Sequence, residues 1–444
     1  MLNARLARIE AQLKAGLGRR TMEERGRLSR FERRAARVIT TTEFVTSLLH
    51  SLGTRRVESL ADLHRDFNAD HGTAVNYKPY YERLDSAGFV ELMRSLFEDL
   101  LSTLYQQALS PMRDSVLGCF EDIVIHDGSS FALHDALAYA FPGRFTTVSP
   151  AAVELHATMS LRHDNLNSLT LAPDSECERH HVPGPSELRN KLFLADRGYD
   201  STSFMEQIQV AGGYFCMRIR TCLDPVVTKI HRRGKRYRKL EGKRLSAVVN
   251  ALPKSKTHDL DIAWLRSDGT HRNAYRLLLK YNGPEHGWMR LMTNLSRDGF
   301  AGHEVLAVYR LRWQVELYFK ELKSYANLHA FSTCKPHIAE GLIWASLCVA
   351  FLKRFFAHGC QQANARVAIS TRRVAMCSHV FLGAFFRCLR AGFRNLRKVL
   401  LEIFDFLVIN ARRSNPGRER RTGRLALGLT PAAHDRRSSG SPAR

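Results

Sequence analysis

Two short apolar runs, each ending on an aspartate, constrain this chain more than any other feature. Residues 121–135 read EDIVIHDGSSFALHD and residues 191–201 read KLFLADRGYDS. Runs of Ile, Val, Leu and Phe this short, bounded by Gly and Asp, predict buried strands. VELHATMSL at 153–161 alternates apolar and polar residues, the mark of a half-buried strand, and NSLTLAP at 167–173 predicts another. GPSELRNK at 184–191 and STSFMEQIQVAGG at 201–213 predict helices, the second with a glycine stop, and YFCMRIR at 214–220 predicts a strand. Three strands, a helix, a strand, a helix and a strand describe an α/β sheet that mixes hairpins with crossovers. Asp127 and Asp196 then sit where strands meet loops, each followed within two residues by a glycine expected to let the backbone turn. Alone, either aspartate reads as a turn residue or a helix cap.

The stretch YRLRWQVELYFKELK at 309–323 contains neither Gly nor Pro and consists mostly of good helix formers. At about 100° per residue, Tyr309, Arg312, Glu316, Lys320 and Lys323 share one side of a single helix, and Leu311, Val315, Tyr318 and Leu322 the other. Such a face is commonly a solvated surface with pairs such as Glu316–Lys320. Asp127 and Asp196 give it a second reading. Adjacent strands lie about 4.8 Å apart, so two strand-end carboxylates can share a cation. A glutamate from a helix packed on the sheet can complete the set. Phosphodiester cleavage needs an activated water, an in-line phosphate and charge relief at the leaving oxygen. Two Mg²⁺ ions about 3.5–4 Å apart supply all three, and carboxylates are their natural ligands. Arg312, Lys320 and Lys323 would bind the flanking phosphates, with Tyr309 donating its hydroxyl to another.

Elsewhere the chain reads as follows. Residues 1–118 form a helical, basic region expected to bind DNA. Within it, 58–69 and 75–85 predict two helices joined tightly, either a helical hairpin or a helix-turn-helix, and 88–118 continues as amphipathic helix. Residues 119–220 and 301–335 carry the acids. The interval 221–300 reads as a mainly β insertion holding DIAWLRS, AYRLLLKYN and WMRLMTNL. Its dense Lys/Arg run KIHRRGKRYRKLEGKR at 229–244 predicts a basic hairpin or loop that contacts DNA backbone. Residues 336–411 are helical, and 412–444 form a basic tail too rich in Arg, Ser, Pro and Gly to order.

These motifs resemble those of the DDE transposases of bacterial insertion sequences, specifically insertion-sequence family 4. The resemblance lies in the Asp-Gly-Ser at Asp127, the Asp-x-Gly-Tyr at Asp196, and the Tyr309, Arg312, Glu316, Lys323 signature. It implies a ribonuclease H-like catalytic core interrupted by a mainly β insertion, with helical N- and C-terminal regions. It implies Asp127, Asp196 and Glu316 as catalytic residues and ligands of two Mg²⁺ ions, with Mn²⁺ as a substitute. Tyr309, Arg312, Lys320 and Lys323 would contact DNA beside the cleaved end. Trp288 falls where relatives stack an aromatic on a flipped base, with core packing as the alternative. The implied activity is cut-and-paste transposition by a homodimer acting on double-stranded DNA, both terminal inverted repeats and target. Two rivals are a catalytically silent DNA-binding protein, such as a repressor, and a stand-alone metal-dependent nuclease.

Composition agrees with a polyanionic partner. Lys and Arg number 67 against 43 Asp and Glu, a formal net charge of +24, which favours nucleic acid or an anionic membrane surface. The apolar run GLIWASLCVAFL at 341–352 is too short to span a bilayer. The opening MLNARLARIEAQLKAGLGRR is too charged for a signal peptide. The expectation is a soluble, cytoplasmic, nucleoid-associated bacterial protein without membrane contact. Nine scattered cysteines without a CxxC pair predict reduced thiols. His126, His134, His180 and His181 match no common zinc spacing, and Ser129 and Ser130 lack a nucleophile elbow.

Overall fold

The computed structural model describes residues 2–32, 38–104, 108–112, 115–265, 271–328, 331–364, 367–415 and 427–431. Helices α1 (Leu2–Leu17), α2 (Arg19–Leu28), α3 (Thr41–Thr54), α4 (Leu60–His71), α5 (Tyr77–Leu84) and α6 (Ala87–Thr103) open the chain. Strand β1 (Leu109–Pro111) precedes β2 (Ile123–Ala132), β3 (Pro142–Phe145), β4 (Ser149–Ser160), β5 (Asn165–Pro173) and β6 (Leu192–Ala195). Helix α7 (Thr202–Val210) returns the chain to β7 (Tyr214–Arg218). The insertion holds β8 (Val226–Ile230), α8 (Lys235–Arg238), α9 (Leu245–Ala251), β9 (His258–Leu265), β10 (His271–Tyr281) and β11 (Trp288–Thr293). Then follow α10 (Gly302–Tyr309), a 3-10 turn (Arg310–Arg312), α11 (Trp313–Tyr325), α12 (Pro336–Ala363), α13 (Thr371–Arg390), α14 (Leu396–Asn410) and β12 (Leu429–Pro431).

The two aspartate-bearing runs are neighbours. β2 pairs parallel with β6, Ile123 opposite Leu192 and Ile125 opposite Leu194, and β6 pairs parallel with β7. On its other edge β2 pairs antiparallel with β4, Asp127 opposite Ala157, and β4 pairs antiparallel with β5. The fold is thus mixed α/β on a mixed sheet. The insertion does not stand apart from it: β11 pairs with β7, and β10, β9 and β8 follow in order, so one sheet runs from β3 to β8. Nor is it purely β, since α8 and α9 lie within it. The basic run at 229–244 leaves the end of β8 and passes through the single-turn α8 rather than a hairpin.

Side chains alternate across the sheet. Ile123, Ile125, Leu192 and Leu194 point into the larger core, shared with the helices. Val124, Phe193, Ala195 and Met217 point into a second core with the insertion. α12 runs through the larger core and is buried on every side from Gly341 through Cys360, as its all-round apolar sequence requires. No described helix is long and apolar enough to cross a membrane. All nine cysteines are free thiols.

Several expectations change. The helix expected over 88–118 stops at Thr103, short of strand β1. At 184–191 only a 3-10 turn forms, Pro185–Leu188, because Asn190 turns into the left-handed region (φ 57). The helix expected over 309–323 is two helices joined by the Arg310–Arg312 turn. Within the tail, Leu429–Pro431 pairs with β1. The rest of that tail lies outside the described residues except 412–415 and 427–428.

Candidate active site

Asp127 continues the Ile123, Ile125 face of β2 and so points toward the helices, where α11 packs over the strand. Its Oδ1 accepts from the N–H of Gly128 at 3.2 Å. The glycine does not turn the chain there, since β2 runs on to Ala132. It is needed because a Cβ at 128 would lie 2.2 Å from Glu154 Oε1, which approaches from β4. Gly198 answers a similar demand: its Cβ would lie 2.9 Å from Glu178 Oε2. Asp196 ends β6 and precedes the 3-10 turn Arg197–Tyr199.

Glu316 stands in the first turn of α11. Arg312, at the end of the preceding 3-10 turn, joins it to the sheet. The guanidinium donates from Nη1 to Asp127 Oδ2 at 3.0 Å and from Nη2 to Glu316 Oε1. Tyr309, buried at the end of α10, donates its hydroxyl toward Asp196 Oδ1 at 3.3 Å and the Ala195 carbonyl at 3.4 Å. Arg218 Nη1 lies 3.5 Å from the same Asp196 oxygen. The polar side of the signature therefore faces inward, onto two strand ends. Lys323 donates to the Ser130 carbonyl at 2.7 Å, just past Asp127 on β2, and Lys320 is exposed.

Burial pushes the Asp127 carboxyl up to about 6; Arg312 and the Gly128 N–H oppose this, and Glu316 and Asp196 add to it. Burial, reinforced by Asp196, also raises the Tyr309 hydroxyl, which stays a neutral donor. Arg312 thus serves Asp127 and Glu316, with Arg218 beside Asp196, without bringing the Asp127 carboxyl back to its ordinary value. Among the described residues no three His, Cys, Asp or Glu side chains are placed to hold one metal ion as they stand. Between Asp127 and Glu316 stands the Arg312 guanidinium, which donates to both. Carboxylate oxygens are the ligand type a hard divalent cation takes, and here Asp127 and Glu316 are occupied by Arg312 instead.

Two clefts adjoin at Asp196 and Arg197. One, of about 450 Å³, is lined by Asp127, Asp196 and Arg220 among others. The second, of about 500 Å³, is lined by Asp196, Arg218, Met289, Tyr309 and Arg312 among others. Trp288 lies elsewhere. Met289 faces the second cleft, while Trp288, one residue earlier, packs on the opposite side of β11, its ring 5.8 Å from His258 and 5.4 Å from Tyr281.

Residues the sequence reading passed over also meet here. Trp313 is 56% exposed and Leu317 48% exposed, an apolar step beside Glu316 on α11. Behind Gly128, on the far face of the sheet, lie Glu154 and the Tyr199 hydroxyl. Burial and Glu178 push the Glu154 carboxyl up to about 7 against the pull of Arg144. The glycine in HDGSS is the available signal, because a glycine inside a strand marks a close backbone or side-chain approach.

Residues 118–352 match the family model described as the transposase DDE domain. The chain belongs to the transposase DDE domain family. Among curated relatives, this DDE-domain chain is 44% identical over 66 residues to the putative transposase InsL of insertion sequence element IS186A from Escherichia coli (strain K12). The same figures hold for the transposase of insertion sequence element IS421 from Escherichia coli. The matched segment is 15% of this chain and 18% of each relative, so the chain spans under a fifth of their length. Among solved structures, the piggyBac transposase synaptic complex with hairpin DNA superposes with a TM-score of 0.43 at 11% identity, over 89% of this chain and 82% of that one.

Proposed function

We propose that the chain is a DNA transposase of insertion-sequence family 4 that cuts at element ends and joins them to target DNA. One observation carries this reading. Arg312 links Asp127 to Glu316, and Tyr309 reaches Asp196 on the neighbouring parallel strand. A ribonuclease H-like core is supported by the strand order β5, β4, β2, β6, β7, antiparallel at the first two junctions and parallel at the last two.

Asp127, Asp196 and Glu316 would hold magnesium, or manganese in its place, two ions in this reading. The metal supplies an activated water and offsets charge on the leaving oxygen. The chain's own groups do the rest. Tyr309 fixes the Asp196 carboxylate through its hydroxyl. A DNA phosphate offers Arg312 an anionic partner other than the acids, so the guanidinium can leave them for the substrate. Lys320 and Lys323 present ammonium groups to the flanking phosphates. Trp313 offers an exposed ring on which a base can stack, worth about 1–3 kcal/mol, while Trp288 enters this reading as a packing residue. In cleavage, water adds to phosphorus as the bond to the 3′ oxygen breaks, leaving a free 3′-hydroxyl. In joining, that hydroxyl takes the water's place and a target 3′ oxygen leaves.

The partners in this reading are the inverted repeats that end the element, target DNA, and a second copy of the chain bringing the two ends together. Val380, Leu401 and Ile409, exposed on α13 and α14, are candidates for that contact. The working place is the nucleoid of a bacterial cytoplasm. The test is end cleavage with Mg²⁺ on DNA carrying the sequences that flank the coding region. Glu316→Gln is expected to lower cleavage at least about 100-fold while the protein still binds DNA. Cleavage at the wild-type rate would falsify the assignment.

A further inference from the structure

We infer that a basic cleft between α3, α11, α12 and α13 binds a phosphate of the DNA backbone, one step beyond Lys323 from the acids. The inference rests on the transposase reading above and names part of the path the DNA takes. The cleft has a volume of about 370 Å³ and is lined by Arg55, Arg56, Lys323, Lys353 and His379, with no acidic side chain among its lining residues.

The site is built rather than incidental. Asn327, in the left-handed region (φ 54) just past α11, clamps the turn that carries the arginines. Its Nδ2 donates to the carbonyls of Leu52 at 2.7 Å and Arg55 at 2.9 Å, and its Oδ1 accepts from the N–H of Val57 at 3.3 Å. The turn after α3 and the end of the Glu316 helix therefore hold one geometry. At the cleft, Lys353 is only 4% exposed. Its ammonium donates to the Tyr325 carbonyl at 2.7 Å. No ion pair among the described residues includes it, and nearby Glu321 is paired instead with Arg354 at 3.2 Å. A buried ammonium without a carboxylate is costly unless an anion joins it. Burial pushes this amine down to about 8 against the pull of Glu321. Arg55 is shared with Asp66 at 2.6 Å, and Arg56 and His379 stand exposed at the rim.

Continuity selects DNA over a free anion. Lys323 belongs to the cleft wall and also donates to Ser130 on the Asp127 strand. A strand whose phosphate lies near the acids can therefore place another in the cleft. The groups come from regions far apart in sequence, which ties both helical ends of the chain to the substrate.

The experiment measures binding of the full chain to fluorescent duplex DNA across a salt series, for wild type, Arg56→Ala and Lys353→Met. Arg56 is exposed, so its loss does not threaten folding; Lys353→Met is checked by thermal unfolding. Each variant is expected to bind about three- to tenfold more weakly at moderate salt. The slope of log K against log salt should fall by about 0.7–0.9, the signature of one lost phosphate contact. Neutral methylphosphonates placed singly along the DNA should include one position that weakens wild type and is silent in both variants. Inorganic phosphate alone is the competing probe: if it saturates the cleft and DNA does not displace it, the site takes small anions and the inference fails. Unchanged slopes and affinities in both variants overturn the inference and leave the acid site untouched. A wild type that binds no DNA overturns both readings. Binding that depends on the cleft without metal-dependent cleavage strikes only the catalytic one.

Discussion

In the insertion, Arg276 donates to Asp259 at 2.7 Å and to the carbonyls of Leu295, Ser296 and Phe300 at 2.8–3.2 Å. Arg297 joins Asp259 to Asp261, each at 2.7 Å, and His231 adds a contact to Asp261 at 2.7 Å. At the acid site Arg312 spans Asp127 and Glu316, and Asp196 beside them has Arg218 at 3.5 Å. Both networks are guanidinium and carboxylate in partly dry surroundings. They differ in balance. In the insertion, burial works against ionisation of Asp261, but His231 and Arg297 more than offset it and hold that carboxyl below its ordinary value. At the acid site burial wins and the Asp127 carboxyl rises to about 6. A network whose donors and acceptors match is a fastening. One with spare negative charge is open to another cation.

The sharpest way to break this contrast is Arg276→Met. It leaves the carbonyls of Leu295 and Phe300 and the Oδ2 of Asp259 without this donor, so a loss of about 3–5 kcal/mol in urea unfolding is expected, with no recovery on adding Mg²⁺. Arg312→Met should cost less, about 1–3 kcal/mol in chelator, and should recover part of it when Mg²⁺ is added. Equal Mg²⁺ responses in the two variants would erase the distinction. The smallest effect lies in pH dependence, and its sign differs between the networks. Asp127 has a folded value raised above 3.8, so its contribution is complete below 3.8 and is lost as pH rises through about 6. Asp127→Asn should therefore gain about 1–2 kcal/mol over wild type above that pH and converge with it in acid. Asp261 has a depressed value, so its contribution is present above 3.8 and is lost as pH falls through the folded value. Asp261→Asn should be the weaker protein at neutral pH and lose that deficit in acid.

What the sequence made legible was local. The short apolar runs marked the strands that carry Asp127 and Asp196, and the apolar positions of 309–323 marked the buried side of the Glu316 helix at Leu311, Val315, Tyr318 and Leu322. What stayed hidden depended on partners far along the chain. Gly128 looked like a turn because the Glu154 carboxylate that requires it comes from another strand. Arg312 reads from the sequence as a phosphate-binding cation, and its pairing with Asp127 stays hidden because a helical wheel shows which residues share a face, not what lies opposite. For Trp288 the sequence leaves base stacking and core packing both open because it does not give the strand's direction; one residue of register decides between cleft and core. The insertion looked separate because strand pairing is set by contacts no local window contains.

That last point reaches beyond the site. Because β8 to β11 extend the ladder that carries the two aspartates, the insertion cannot swing as an independent lid without tearing backbone hydrogen bonds. It is a stiff wing, so a pull on its basic tip is felt at the β7 edge. Parity also governs how such a wing can grow or shrink over evolutionary time. A hairpin gained or lost there keeps the chain arriving at α10 from the same end of the sheet, whereas a single strand does so only with a crossover.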